Sequence, residues 1–481
     1  MEKVFGAIDI GASSGRVIAG TFVAGKISLN EVHRFPNGAV ESGGILVWDF
    51  AKLMDEVRVG ITKLSEHANG FGGSVVSLGI DTWAVDYGLV RDGQLLAQPN
   101  CYRDPLNQIG ADDVHSRISF AEMYEIAGLQ FLPFNSIYQL ARQSKFNPEQ
   151  LESATDIMLI PDLIGFLLTG KKATERTNAS TTGMLDATTR SWSQEIIERA
   201  GLTQAASKFP ELRSAGETLG KVLPEFGDGL ENTHVVLVGS HDTASAVVGV
   251  PASVDEFAFI SSGTWSLLGS EIPAPILSEA SRRSNFTNEL GVQNRVRYLK
   301  NLSGLWLLAE CLREWKLDTD LNALGSLLIE AANFNPDSLL DLADVNLISP
   351  GNMPYKINRQ LERAGKNPLG KKHEYVAVIL HSLAKSYADN LGFLEILTDK
   401  VFDAIHVVGG GSQNALLSQL TANYSRKLVL AGPVEATAIG NLVVQMQAAG
   451  VVPMELSEAR AIIANSTFKL TTYEPEGKKH G

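Results

Sequence analysis

The sequence predicts an α/β protein built from two similar domains that hold one ligand in a cleft between them. Three observations carry this expectation. Near the N-terminus a strand, a tight Gly/Ser turn and a second strand follow one another, as Phe5-Gly6-Ala7-Ile8-Asp9-Ile10, Gly11-Ala12-Ser13-Ser14-Gly15-Arg16 and Val17-Ile18-Ala19-Gly20. The pattern returns in the second half, as Phe257-Ala258-Phe259-Ile260, Ser261-Ser262-Gly263-Thr264 and Trp265-Ser266-Leu267-Leu268. The chain has 481 residues, more than one ordinary core accommodates. Each turn presents backbone N–H groups and hydroxyls at its tip, and a phosphate chain is the natural occupant of such a tip.

Charge and cysteine content narrow the function classes. The net charge of −13, from 41 basic and 54 acidic residues, argues against nucleic acid or an anionic membrane as the main partner. Two cysteines, Cys101 and Cys311, build neither a disulfide framework nor a metal–thiolate cluster, so a reducing cytosol is expected. Glu2 and Asp9 at the start do not fit a secretory signal, and no apolar run is long enough to span a bilayer.

Taken in order, the elements begin with a meander. Strands over 4–10, 17–23 and 27–35 are separated by the GASSG and Ala24-Gly25 turns. Turns this short make neighbours antiparallel, unlike the strand–loop–helix opening of a dinucleotide-binding fold. A helix over 49–67 follows, with Asp49 as its cap, then a buried strand over 74–80 that runs into Asp81-Thr82-Trp83-Ala84-Val85-Asp86-Tyr87. Asp92-Gly93 marks a hairpin between 88–90 and 94–97. Residues 111–200 read as mostly helical. A short strand over 235–238 delivers Gly239-Ser240-His241-Asp242-Thr243-Ala244. In the second half, helices are expected over 302–315, 374–397 and 436–449, and a strand over 404–408 ends in Gly409-Gly410-Gly411-Ser412-Gln413-Asn414.

Four constellations carry chemistry. The two glycines and two serines of 11–15 let the backbone approach an anion, although an ordinary polar hairpin turn has the same composition. Asp9 ends its strand pointing into that turn, where it holds a magnesium ion on the phosphates or bonds the turn amides. Asp242 follows a buried strand. It serves either as the proton acceptor that phosphoryl transfer to an alcohol needs or as a helix cap. Three glycines at 409–411 offer a flat backbone surface to an adenosine, or simply turn the chain. The residues 81–86 and 102–104 mix rings, hydroxyls and carboxylates in a way that suits a polyol, with Trp83 as either a sugar platform or core. Asn301, ahead of the expected helix at 302, is a cap or a sugar ligand. The small residues of 435–441 make a helix that packs very closely on a neighbour.

These segments, in this order, resemble the FGGY family of carbohydrate kinases, within the actin/Hsp70/sugar-kinase superfamily. The resemblance runs from Val4 to Gly450 through GASSGR, DTWAVDY, Tyr102-Arg103-Asp104, GSHDTA, SGTWS, NLSGLW and GGGSQN. It implies two actin-like (ribonuclease H-like) domains, 1–246 for sugar and phosphates and 247–481 for nucleotide. It implies transfer of the γ-phosphate of ATP, with Mg2+, to the C1 hydroxyl of a ketose, L-rhamnulose ahead of L-fuculose or L-xylulose. In the roles the resemblance implies, Ala12, Ser13, Ser14, Gly15, Arg16, Thr264 and Gly410 bind ATP. Asp9 holds Mg2+, directly or through water, and Asp242 accepts the proton. Ala84, His241, Asp242, Thr243 and Asn301 contact the sugar. Two departures stand out. Ala84 replaces a glycine common at that position, and Ala309 stands where relatives carry a nucleotide-contacting glutamine. An ATPase of the same superfamily without a sugar is the alternative from another class. It predicts turnover in the absence of any ketose.

Overall fold

The computed structural model describes residues 2–254 and 256–476. The chain divides into two compact units, one of Met1–Asp255, Glu271–Tyr298 and Ala436–Phe468, the other of Glu256–Ser270, Leu299–Glu435 and Lys469–Gly481. The segments 271–298 and 436–468 lie C-terminal to the expected boundary at 246/247, yet group with the first unit.

The first unit is organised by a six-stranded sheet. Its strands are β1 (Lys3–Ile10), β2 (Ser14–Val23), β3 (Lys26–Pro36), β4 (Ser74–Thr82), β5 (Thr218–Lys221) and β6 (His234–Val236), in the order β5-β6-β4-β1-β2-β3. The meander β1–β3 is antiparallel, while β1, β4 and β6 run parallel. Helix α1 (Phe50–Gly70) starts at Asp49, whose carboxylate accepts from the Lys52 amide as a cap. Its Leu53, Val57, Ile61 and Leu64 pack with Ile8, Ile10, Val17 and Leu78. The alternate residues Phe5, Ala7 and Ile18 join Ile439, Leu442 and Val443 of a late helix in a second cluster. A strand buried on both faces reads as a nearly unbroken apolar run, as β1 does.

Two helices cover that second face, α2 (Asp242–Val248) and α3 (Ala436–Ala448). They approach to backbone contact. A Cβ added to Gly440 would lie 1.8 Å from the Ser245 carbonyl oxygen, and one on Gly249 2.1 Å from the Ala436 carbonyl oxygen. The close-packing helix expected from the small residues of 435–441 is therefore present.

In the second unit the repeat of the strand–turn–strand is realised. Ala258–Ser262 pairs antiparallel with Trp265–Ile272 and parallel with Ala404–Val408. The last of these pairs parallel with Leu428–Ala431, which meets Thr471–Tyr473 antiparallel. This is the hairpin-plus-parallel plan of the first sheet. One expectation is corrected here. The helix expected from 302 begins at Trp306, because Leu302 and Ser303 finish the strand Val296–Ser303. The Trp306 amide then donates to the Thr264 carbonyl at 3.2 Å, so the helix start is docked on the hairpin turn. Asn301 lies inside the strand and is not a cap. Among the described residues no helix is long and apolar enough to cross a membrane.

Candidate active site

Register places three carboxylates at the carboxyl ends of neighbouring parallel strands, where ligands of open α/β sheets bind. Asp9 of β1 stands opposite Asp81 of β4. Thr82 bridges in parallel to His241, which brings Asp242 alongside. Strand alternation puts Asp9 on the face of Phe5 and Ala7, and Asp81 on the face of Gly79, which is the face α3 covers. Asp81 is fully buried; Asn441 of α3 donates to its Oδ2 at 2.5 Å, while Oδ1 has no hydrogen-bond partner among the described residues. Gln445, one turn on, donates to Asn441 Oδ1 at 2.6 Å and to the Gly6 carbonyl at 2.9 Å. A Cβ at Gly79 would fall 2.3 Å from Asn441 Oδ1, so this glycine makes room for the network. Burial and the neighbouring Asp9 hold the Asp81 carboxyl well above its ordinary pKa, against the pull of Asn441.

Asp242 is the first residue of α2; the cap position belongs to His241, whose side chain makes no capping bond. The cap alternative for Asp242 is thus set aside. About a third of its side chain is exposed, and Thr243 Oγ1 donates to Oδ1 at 3.1 Å. Burial raises its pKa, His241 opposes, and Asp9 adds to the rise. A carboxylate made more basic is a better proton acceptor near neutral pH. Behind it, His241 Nε2 lies 3.4 Å from Asp242 Oδ1, and Nδ1 lies 3.2 Å from Glu289 Oε2. Arg297, fully buried, reaches both Glu289 Oε2 at 3.1 Å and His241 Nδ1 at 3.1 Å. Glu175, also fully buried, accepts from the Ser240 amide at 3.2 Å and its hydroxyl at 2.8 Å, which fixes the approach to His241.

The 11–16 turn is closed by its own hydrogen bonds. The Gly11 amide donates to the Ser14 carbonyl at 2.9 Å, and Asn37 Nδ2 donates to the Gly11 carbonyl at 2.8 Å. Ser13 and Ser14 are exposed, and Ala12 is half-buried. Gly15 is required by Phe35, whose ring would lie 2.2 Å from an added Cβ. Arg16, across the ladder from Asp9, donates to Asp9 Oδ2 through Nε at 2.9 Å and Nη2 at 2.7 Å.

The segment 81–86 is less a sugar surface than its composition indicated. Trp83 is buried against Trp48, ring centroids 4.1 Å apart, so the platform alternative gives way to core. Asp86 is a hub: its Oδ2 accepts from Trp48 Nε1 at 2.6 Å, Trp83 Nε1 at 2.9 Å and the Tyr102 amide at 3.1 Å. Gln139 serves its Oδ1 at 2.8 Å. Burial lifts its pKa to about 7 in spite of these donors. Asp104 is also internal, accepting from the Leu46 and Leu106 amides. Ala84, by contrast, is half-buried at the start of a tight turn in which the Asp86 amide donates to the Ala84 carbonyl at 2.9 Å. Val85 at its centre has φ +68°, a conformation costly for a β-branched residue.

In the second unit, Thr264 and Asn301 are half-buried, and Gly410 is exposed. Of the three glycines, Gly409 and Gly411 are required by the protein itself. A Cβ would lie 2.9 Å from the Ser262 carbonyl oxygen at 409 and 2.0 Å from Ser262 Oγ at 411. Gly410 meets nothing within 4 Å, so the fold itself does not require a glycine there. A cavity of about 680 Å³ in the first unit, lined by Tyr87, Asn100, Gln143 and Glu149, contains none of the three carboxylates.

Residues 4–249 match the N-terminal domain, and 258–449 the C-terminal domain, of the FGGY family of carbohydrate kinases. The chain belongs to this family. It is therefore a carbohydrate kinase, a phosphotransferase. It is 39% identical to a rhamnulokinase of Bacteroides thetaiotaomicron over 99% of this chain and 96% of that one. It is 38% identical to a rhamnulokinase of Bacillus subtilis over 98% and 96%. A gluconate kinase from Lactobacillus acidophilus superposes with a TM-score of 0.77 at 17% identity over 99% of this chain and 94% of that one. A xylulose kinase from the same organism gives 0.76 at 17% identity over 98% and 94%. The two-domain kinase fold expected from the sequence is the fold observed.

Sequence reasoning missed Asn441, Glu175, Glu289 and Arg297. Asn441 was visible inside the small-residue helix but was assigned to packing. The other three lie in segments with no motif, and only pairing brings them to the site.

Proposed function

We propose that this FGGY kinase transfers the γ-phosphate of ATP to the C1 hydroxyl of L-rhamnulose, giving L-rhamnulose 1-phosphate and ADP. The observation that carries the chemistry is Asp242 at the start of α2, beside Asp9 and the phosphate turn. The near-full-length similarity to rhamnulokinases supports the substrate. Asp242 takes the hydroxyl proton as the sugar oxygen attacks the γ-phosphorus. The bond from that phosphorus to the bridging oxygen breaks, and ADP leaves. Ala84, His241, Thr243 and Asn301 are the proposed sugar contacts. Ala12 to Arg16, Thr264 and Gly410 are the proposed nucleotide contacts. The open space at Gly410 supports its part.

The donor set fits Mg2+. Three carboxylates share a site with Arg16, and Asp81 keeps a buried oxygen without a hydrogen-bond partner among the described residues. Among the described residues no three such side chains form a metal-holding group alone. Magnesium commonly takes one or two carboxylates and completes its octahedron with phosphate oxygens and water. Asp9 would hold it here, directly or through water, and the ion supplies neutralisation of charge on the phosphates. ADP release measured over a panel of ketoses tests the reading. L-rhamnulose should give the highest kcat/KM, with product phosphate on C1. A preference for L-fuculose or L-xylulose overturns the substrate, and ATP turnover indifferent to sugar overturns the class.

A further inference from the structure

His241 sits among charges that make conflicting demands on its ring. Arg297 Nη2 donates to Nδ1 at 3.1 Å, while Glu289 Oε2, 3.2 Å from the same nitrogen, would require a hydrogen there. Both cannot hold. Arginine has five donors and no acceptor and stays protonated, so the nitrogen it faces must offer a lone pair. Glu289 Oε2 has its own cation in Arg297 Nη1 at 3.1 Å and does not need the imidazole. The far nitrogen decides the matter. Nε2 lies 3.4 Å from Asp242 Oδ1. With the hydrogen on Nδ1, an N–H would face the guanidinium and a lone pair would face a carboxylate oxygen. With the hydrogen on Nε2, the Arg297 contact becomes donor to acceptor and the ring N–H lies on the side of the Asp242 carboxylate.

We infer that Arg297 is a positioning residue that fixes His241 with its hydrogen on Nε2, turned toward Asp242, and that Glu289 is there to neutralise Arg297. Arg297 is well placed for this. Its Nε donates to the Leu290 carbonyl at 3.0 Å, which locks the guanidinium plane, and it has no solvent exposure. The other charges around the ring are Glu175, held on Thr177 and Ser240, Glu271, paired with Arg460, and Asp9 and Asp81 at the strand ends. None of these supplies an alternative donor to Nδ1. The consequence for Asp242 is directional. Thr243 and His241 both bear on Oδ1, so Oδ2 is the oxygen that takes the sugar proton. This last step rests on the kinase reading above; the tautomer does not.

The test is nitrogen NMR of the full chain labelled with ¹⁵N-histidine. The signal of His241 among nine histidines is identified by its loss in His241→Gln. Expected is an unprotonated Nδ1 and a protonated Nε2 at a pH where the ring is neutral. A protonated Nδ1 in the unsubstituted protein overturns the inference by itself, whatever the variants do. Removing one partner of a buried ion pair strands the other, so both charges are removed together in Arg297→Met/Glu289→Leu. That variant should lose the single tautomer and lose at least tenfold in kcat, with KM for ATP unchanged. An unchanged tautomer, or an unchanged kcat once the tautomer is lost, overturns the positioning role. Failure of every ketose in the activity panel would leave the NMR result standing, so the two readings fail separately.

Discussion

The contact between α2 and α3 makes Gly440→Ala a probe of how far packing reaches into the chemistry. The added methyl would lie 1.8 Å from the Ser245 carbonyl oxygen and 3.0 Å from the Gly249 amide, where ordinary contact begins at 3.4 Å. Both obstacles are backbone, so no side chain can rotate away. The helices must part by roughly 1.5 Å, and overpacking of this kind costs ~1–3 kcal/mol, with the upper end expected for a backbone clash. Asp242 opens the helix that moves. Displacing a catalytic group by about 1 Å costs on the order of 100-fold in rate. Gly440→Ala should therefore lose roughly 100-fold in kcat and melt several degrees lower. Gly392→Ala is the control: it lies inside the helix Lys372–Thr398 with nothing within 4 Å of the added carbon. Trading a helical glycine for alanine in open space should gain ~0.5–1 kcal/mol. Steady-state kinetics and thermal melts of both variants decide it. A Gly440→Ala enzyme with wild-type kcat and melting temperature would refute the argument from close approach.

Other consequences can be checked alongside. Asp242→Asn should keep sugar binding, measured by calorimetry, and lose ~10²–10⁴-fold in turnover, the usual span for a lost general base. Arg16→Ala should raise KM for ATP about tenfold or more, as loss of a charged hydrogen bond of ~1.5–3 kcal/mol implies, with KM for the ketose little changed. Chelating Mg2+ with EDTA should abolish turnover, and excess Mg2+ should restore it. The Asp86 carboxyl, raised from 3.8 to about 7 chiefly by burial, binds a proton in the fold where the unfolded chain has lost it. Its contribution is full below pH ~4 and falls by about 4 kcal/mol as pH rises to ~7. Asp86→Asn should remove that slope; parallel stability curves for variant and wild type would count against it.

Much of the fold was legible because it is written in local signals. The meander follows from turns too short for a crossover, and the Asp49 cap from a carboxylate just ahead of an amphipathic run. Asp92 and Gly93, at φ +51° and +81°, make the hairpin that Asp-Gly announces. The misplaced helix start at 302 shows the limit. Leu302 and Ser303 suit a helix or a strand equally well, and what chooses is the hairpin turn against which Gly304 and Trp306 dock, about 40 residues earlier in the chain. No window of local sequence contains that partner.

The site divides along the same line. Asp9, Asp242 and the 11–16 turn could be singled out as candidates because each sits where a strand ends, and strand ends can be read from apolar runs. Trp83 and Asp86 stayed open between two readings for the converse reason. A ring and a carboxylate beyond a strand look the same in sequence whether they face a sugar or one another, and here Trp83 Nε1 donates inward to Asp86 at 2.9 Å. Asp81 depends on pairing alone. Its side chain became part of the site only when β4 aligned it with Asp9 and a helix some 360 residues later supplied Asn441. Composition could name the carboxylate but not its neighbours. In a site made of like charges the neighbours decide which oxygen is a base, which one binds a cation and which one is merely held.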